Sequence, residues 1–292
     1  MTLVVFDLEW NSAAPGKAGA KENRAELPFE IIEIGAVKLL SDGTPEETFT
    51  AYVKPQVYTK LNKYIARVTQ RSQESLSQGD PFPLVASEFA DFCGNDVTLA
   101  SWGQSDPQVL KQNLEFHGLD TSFFKRALNL QVFFAHKAES GQASQQRSIE
   151  YALDYLNIKA DLSFHDALND ARYAARILNA LLLNINTEKE RQEILRPYFY
   201  DPFLQREKSW QIAVAAGGSS KNAIREQEYK CPACQRELWT CEPIISKKRK
   251  KRWTWLLNCD IHGQVYCAIS RLRRQGQDIY HFKLTLPYPL KK

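Results

Sequence analysis

Five side chains suited to metal and proton chemistry sit beside separate predicted elements, so a chain that uses them must fold to bring those elements together. Asp7 and Glu9, in VVFDLEWN, follow the apolar run 3–6. Asp106, in ASWGQSDPQVL, follows a second apolar run, 97–102, and opens a predicted helix. His165 and Asp170 stand at the head of a helix predicted over FHDALNDARYAARIL. Residues i and i+2 of a half-buried strand share a face, so Asp7 and Glu9 point at one spot. Asp166 to Asp170 spans about one helical turn, which turns Asp170 inward with His165 over the same place. Carboxylates converging from separate segments suit a hard divalent cation such as Mg²⁺ or Mn²⁺.

The chain has 292 residues, enough for one sizeable core and a smaller module. It contains no apolar run of the roughly 18 residues needed to span a membrane. The N-terminus lacks the basic region of a signal peptide, and its apolar stretch ends in Asp7 and Glu9. The expected location is therefore intracellular: cytoplasmic, or nuclear in a eukaryote. There the six cysteines read as metal ligands or free thiols rather than disulfides. Residues 1–204 carry 20 Lys+Arg against 27 Asp+Glu, a net of −7, whereas residues 205–292 carry 18 against 7, a net of +11. This asymmetry predicts two modules, the second suited to a polyanionic partner, because phosphate contacts dominate nucleic-acid affinity.

Strand signals occur at residues 3–6, 31–40, 49–53 and 97–102, with a Ser41-Asp42-Gly43 turn implying a hairpin. Helical periodicity covers 83–92, 107–117, 122–137, 148–156 and 166–183, and a further helix near 188–195 closes the first domain. The pattern predicts an α/β fold, a mixed sheet flanked by helices. The expected organisation is a domain over 1–204, a linker over 205–228 and a small β-rich domain over 229–292 with short strands near 253–257, 265–269 and 279–286.

With these residues in place, the chain resembles the DEDDh 3′–5′ exonucleases of the ribonuclease-H-like superfamily, which includes polymerase proofreading domains. FDLEWN resembles motif I, SWGQSD motif II and HDALNDA motif III. EIIEIGAVKL resembles the family's second strand and LNKYIARVTQRSQESL the region before motif II. The spacing is most similar to the Eri-1-like branch, over residues 1–185. His165, with Asp rather than Tyr at 166, fits the histidine subtype. The resemblance implies two-metal phosphodiester hydrolysis. Asp7, Glu9 and Asp170 would hold one Mg²⁺ or Mn²⁺ ion, Asp7 a second, with Asp106 completing the cage through water. His165 would accept the nucleophile's proton. The implied substrate is nucleic acid with a free 3′ end, RNA ahead of single-stranded DNA, released as 5′-monophosphates. Trp10 and Asn11 replace the small residues or Thr that many relatives carry there, and are candidate substrate contacts. Trp10 fits stacking on a terminal base and packing in the core equally.

In the second module, Cys231-Pro-Ala-Cys234 and Cys259-Asp-Ile-His262 form two knuckles that resemble a zinc ribbon. A structural zinc would supply folding energy that so small a core lacks. Cys241 or Cys267 could replace His262. Between the knuckles, Lys247, Lys248, Arg249, Lys250, Lys251 and Arg252 precede Trp253 and Trp255. These could grip phosphates and stack on bases. A nuclear-localisation signal or a solvated hairpin tip fits the basic run as well. The functional expectation is a 3′–5′ exonuclease whose zinc module holds the strand. The alternative is a non-catalytic zinc-ribbon nucleic-acid adaptor that uses the exonuclease fold as a scaffold; the zinc module could also serve a protein partner.

Overall fold

The computed structural model describes residues 2–12, 26–139, 146–185, 187–215, 220–240, 245–247 and 251–287. They fall into two compact units, Met1–Pro202 and Phe203–Lys292. The first is a mixed sheet flanked by helices. Its strands are β1 (Thr2–Asn11), β2 (Glu30–Leu39), β3 (Pro45–Lys54), β4 (Asp80–Pro81), β5 (Val97–Ser101), β6 (Arg126–Asn129) and β7 (Phe199–Tyr200), in the order β4-β3-β2-β1-β5-β6-β7.

β1 is central, antiparallel to β2 and parallel to β5. Helices cover both faces, so Val4, Val5 and Phe6 are wholly buried. The β2–β3 hairpin closes where the sequence places it, with Gly43 N–H donating to the Leu40 carbonyl at 2.8 Å. The helix Ala167–Leu181 lies on this sheet through a stripe of small side chains. Ala171, Ala174 and Ala175 pack with Val5, Val37 and Ala100 in one core cluster.

The helix expected over 122–137 is in fact two elements. Residues Arg126–Asn129 pair in parallel with β5, and the helix begins only at Leu130. A short apolar run satisfies either period, and here pairing at the growing sheet edge decides. Asn129 ends the strand and caps the helix, its side chain accepting from Val132 N–H at 3.1 Å.

The second unit is an antiparallel sheet of β8 (Glu207–Ala215), β9 (Trp239–Thr240), β10 (Ile245–Lys247), β11 (Arg252–Cys259), β12 (Gly263–Arg274) and β13 (Gln277–Thr285). The order is β10-β11-β12-β13-β8, with β9 also on β11. This corrects the expected linker over 205–228. Residues 207–215 are a strand paired with β13 along its full length. The period-2 pattern WQIAVA explains it: Trp210, Ile212 and Val214 face this unit's core. Ile224, in the helix Ser220–Arg225, is buried in the same core.

Candidate active site

β1 carries Asp7 and Glu9 within the strand, two residues apart and opposite Gly35 and Glu33 of β2. The helix Ser105–Phe116 brings up Asp106 in its first turn. Asp106 is buried, and its Oδ1 accepts from Leu8 N–H at 3.2 Å, between the two β1 carboxylates. Asp166 caps the helix Ala167–Leu181, accepting from Asn169 N–H at 3.0 Å, and so fixes the turn that presents Asp170. Asp170 Oδ2 accepts from His165 N–H at 3.0 Å, while His165 itself has φ of 60°. One ligand atom from each of Glu9, His165 and Asp170 lies within 4.8 Å of the others.

Four acids with few counterions in one partly dry place repel each other. Burial, then the charges of Asp106, Asp170, Glu9 and Glu33, holds Asp7 well above the carboxylate range. Burial, with Glu33 next, raises Glu9 to about 8. Burial likewise raises Asp106 to about 7, and Asp170 to about 7. Asp170 Oδ1 is buried with no hydrogen-bond partner. Deprotonated carboxylates in such surroundings require a cation, and the orphaned oxygen is positioned to ligate one.

Sequence reasoning missed Arg71. Its Nε and Nη2 grip Glu33 at 2.9 and 2.7 Å, and Nη2 also reaches Asp166 Oδ2 at 2.9 Å. The guanidinium lies 4.9 Å over the Tyr52 ring. Arg71 therefore ties β2, beside Glu9, to the cap of the helix that carries Asp170. Glu33 is still raised to about 7, because burial outweighs the guanidinium. The available signal was Glu33 itself, a charge inside the apolar stretch 31–37 of that strand that required a partner.

Asn11 does not face a substrate. It is wholly buried, donating to Tyr58 and Lys60 carbonyls at 2.8 and 3.0 Å and accepting from Asn62 N–H at 3.0 Å. Its amide is occupied in pinning residues 58–62. Trp10, half-buried, rests against Phe29 with ring centroids 5.8 Å apart.

In the second unit, Cys231, Cys234, Cys259 and His262 converge, their ligand atoms all within 4.8 Å. Cys231 Sγ is 3.5 Å and Cys259 Sγ 3.7 Å from His262 Nδ1, and Cys234 Sγ is 3.6 Å from Cys259 Sγ. His262 and not Cys267 completes this cluster; Cys267 stands outside it, and burial raises its thiol to about 12. Cys241, Lys248, Arg249 and Lys250 fall outside the described residues, and of Lys247 only the backbone is described. Lys251 and Arg252 are exposed. The two tryptophans after them do not project as a stacking pair. Trp253 is buried against Tyr280, and Trp255 meets Tyr229 edge-on at 5.0 Å. Both lie on the face of β11 that points into the core.

Residues 4–178 match the model of an exonuclease family, RNase_T. The chain belongs to this family. A probable 3′–5′ exonuclease of Bacillus subtilis is 27% identical over 173 residues, covering 58% of this chain and 78% of that protein. The 3′–5′ exoribonuclease 1 of Rattus norvegicus is 25% identical over 174 residues, 55% of this chain. This chain spans 49% of the length of the rat protein. The nuclease domain of a DEDDh family member, solved bound to rAMP, superposes with a TM-score of 0.54 at 23% identity, covering 64% of this chain and 94% of that one. Exonuclease I superposes over 92% of this chain and 55% of its own, at 9% identity and a TM-score of 0.52. The first unit is thus a 3′–5′ exonuclease domain of this family, on a fold it shares with these structures.

Proposed function

We propose that the protein removes nucleotides singly from the 3′ end of RNA, with single-stranded DNA as a second substrate, and releases 5′-monophosphates. The observation that carries this reading is the convergence of Glu9, His165 and Asp170 beside Asp7 and Asp106, with Asp170 Oδ1 left unpaired in the protein. Asp7, Glu9, Asp106 and Asp170 would hold two Mg²⁺ or Mn²⁺ ions, which supply an activated water and neutralise charge on the departing 3′ oxygen. The exposed imidazole of His165 accepts the proton of the attacking water. Its backbone N–H, bonded to Asp170, keeps that imidazole beside the carboxylates. Arg71 holds the two halves of the site in register through Glu33 and Asp166. The preference for RNA is supported by the exoribonuclease name of the rat relative and by the rAMP bound to a structural neighbour.

The second unit reads as a strand-holding module folded around a structural zinc. Four ligands on a tetrahedron with zinc–sulfur bonds of about 2.3 Å stand roughly 3.7 Å apart. The 3.5–3.7 Å separations here match that spacing. Hydrolysis of matched RNA and DNA oligonucleotides, labelled at the 5′ end and blocked or free at the 3′ end, tests the reading. Metal-dependent shortening of free RNA ends, one nucleotide at a time, is expected. Internal cleavage, or no cleavage with either metal, would overturn it in favour of a non-catalytic adaptor.

A further inference from the structure

The second sheet packs only one of its faces on the described core. Strand alternation sends Trp253, Val265, Cys267, Tyr280 and Phe282 to that core. The residues between them point the other way, and that solvated face sets large exposed apolar side chains among its polar ones. Tyr266 is 43% exposed, Leu272 56% and Trp239 51%. The Trp239 ring is held at its edge, its Nε1 donating to Asp260 at 2.9 Å. Basic groups share the face in register. Arg252 pairs with Ser270, which pairs with His281, and Lys283 lies one step along, beside Ala268. Two acids meet these groups: Asp260 holds Trp239, and Glu207 is bound to Lys283 at 2.7 Å.

We propose that this open face, built on Tyr266, Trp239, Arg252, His281 and Lys283, is a binding platform for single-stranded nucleic acid. Two features select that occupant. The unit carries a net +11 over residues 205–292, which suits a polyanion. Tyr266 lies opposite Leu256, and Trp239 opposite Asn258 on the far side of β11, which puts the rings two strands apart. Sheet spacing makes that about 12 Å, a distance that unstacked bases of one strand can bridge. A duplex hides its base faces and offers only its phosphates. The platform also accounts for the inward Trp253 and Trp255: the stacking surface lies on the opposite side of the same strands.

This inference rests on the strand-holding reading above, so the test separates the two. Binding of a hydrolysis-resistant phosphorothioate 20-mer to the whole 292-residue chain is measured by fluorescence anisotropy across a salt series. Tyr266→Ala and Trp239→Ala should each weaken single-strand binding about 5- to 100-fold while leaving the salt slope unchanged. Tyr266→Phe should bind as the parent does. Arg252→Gln with Lys283→Gln should flatten the slope. Duplex binding should be unmoved by the aromatic changes. Parental affinity in folded Tyr266→Ala and Trp239→Ala proteins would overturn the platform. If charge changes at Lys251 and Arg273, exposed and outside the platform, alone then weakened binding, the strand-holding reading would stand without the platform. If no change in this unit altered nucleic-acid affinity, both would fall and the face would belong to a protein partner. Cleavage of a trinucleotide by the same variants reports the catalytic reading independently.

Discussion

Gly35 of β2 lies directly beneath Leu168: a Cβ built on Gly35 would stand 2.0 Å from the Leu168 nitrogen and 2.1 Å from the Ala167 carbonyl carbon. The first turn of the helix bearing Asp170 therefore rests on bare sheet backbone, and Gly35 is itself the register partner of Asp7. Backbone cannot move aside as a side chain tip can. Gly35→Ala must lift the helix away from β1. It should cost about 1–3 kcal/mol of stability, the usual range for overpacking. Metal-dependent hydrolysis should fall at least tenfold, since a displacement of about 1 Å can cost a factor of 100. A melting temperature and turnover equal to the parent's would show that the helix does not depend on this contact.

Asp7→Ala should separate chemistry from folding. Asp7 is held above its ordinary range by burial and four neighbouring acids, so its charge opposes the metal-free fold. Removing it should abolish hydrolysis yet leave the melting temperature at pH 8 without added metal equal to or above that of the parent. Calorimetry beside the nuclease assay checks this. Retained turnover in a folded variant would remove Asp7 from the site.

The sequence exposes these acids because strand period and helix period each fix which residues share a face, and three motifs must agree in order. The strands and their hairpin follow from the same periodicities. What stays hidden depends on pairing across the chain. The 126–129 strand forms because β5 offers an edge, and Arg71 acquires its role from Glu33, 38 residues away. Asn11 stands next to the motif, yet its amide is directed to the 58–62 backbone. Trp253 and Trp255 follow six cations in sequence, but strand alternation turns them inward.

The raised carboxyls set a pH dependence. Glu9 at about 8 and Asp106 and Asp170 at about 7 lie above their unfolded values near 4. Their contribution to stability is complete below the unfolded values and is lost as pH rises through 7–8. Without added Mg²⁺ or Mn²⁺ the first unit should melt at lower temperature as pH goes from 6 to 9. Ions bind the deprotonated groups, so added Mn²⁺ should raise the melting temperature most at the alkaline end of that window. Differential scanning fluorimetry over pH, with and without Mn²⁺, gives the answer. A metal-free melting temperature that climbs across the window would contradict the crowding of these acids.

Arg71 offers a test through a double-mutant cycle. Arg71→Ala strands Glu33, whose side chain is 1% exposed. Breaking a buried pair costs about 3–5 kcal/mol, lessened here because the Arg71 side chain is 20% exposed. Arg71→Lys should rescue little, because an ammonium cannot grip Glu33 through two nitrogens while reaching Asp166. Arg71→Ala with Glu33→Gln should recover part of the loss, giving a coupling above about 1 kcal/mol. Additive losses would mean the fork contributes nothing beyond its separate parts.

The position of β8 decides where the protein can be cut. A chain ending at 228 keeps β8 but loses β13, its partner, and bares Trp210, Ile212 and Val214 on an unpaired strand. That truncation should aggregate. A chain ending at 202 removes the whole second unit and keeps every proposed catalytic carboxylate and His165. It should stay soluble and trim short oligonucleotides at a rate near the parent's. Long strands should bind more weakly and with a shallower salt dependence, since the unit that is lost carries the excess positive charge. Size-exclusion chromatography of both truncations, followed by binding at two salt concentrations, makes the comparison. A soluble, monodisperse 1–228 protein would show that β8 needs no partner, and equal salt slopes with and without the second unit would take strand holding away from it.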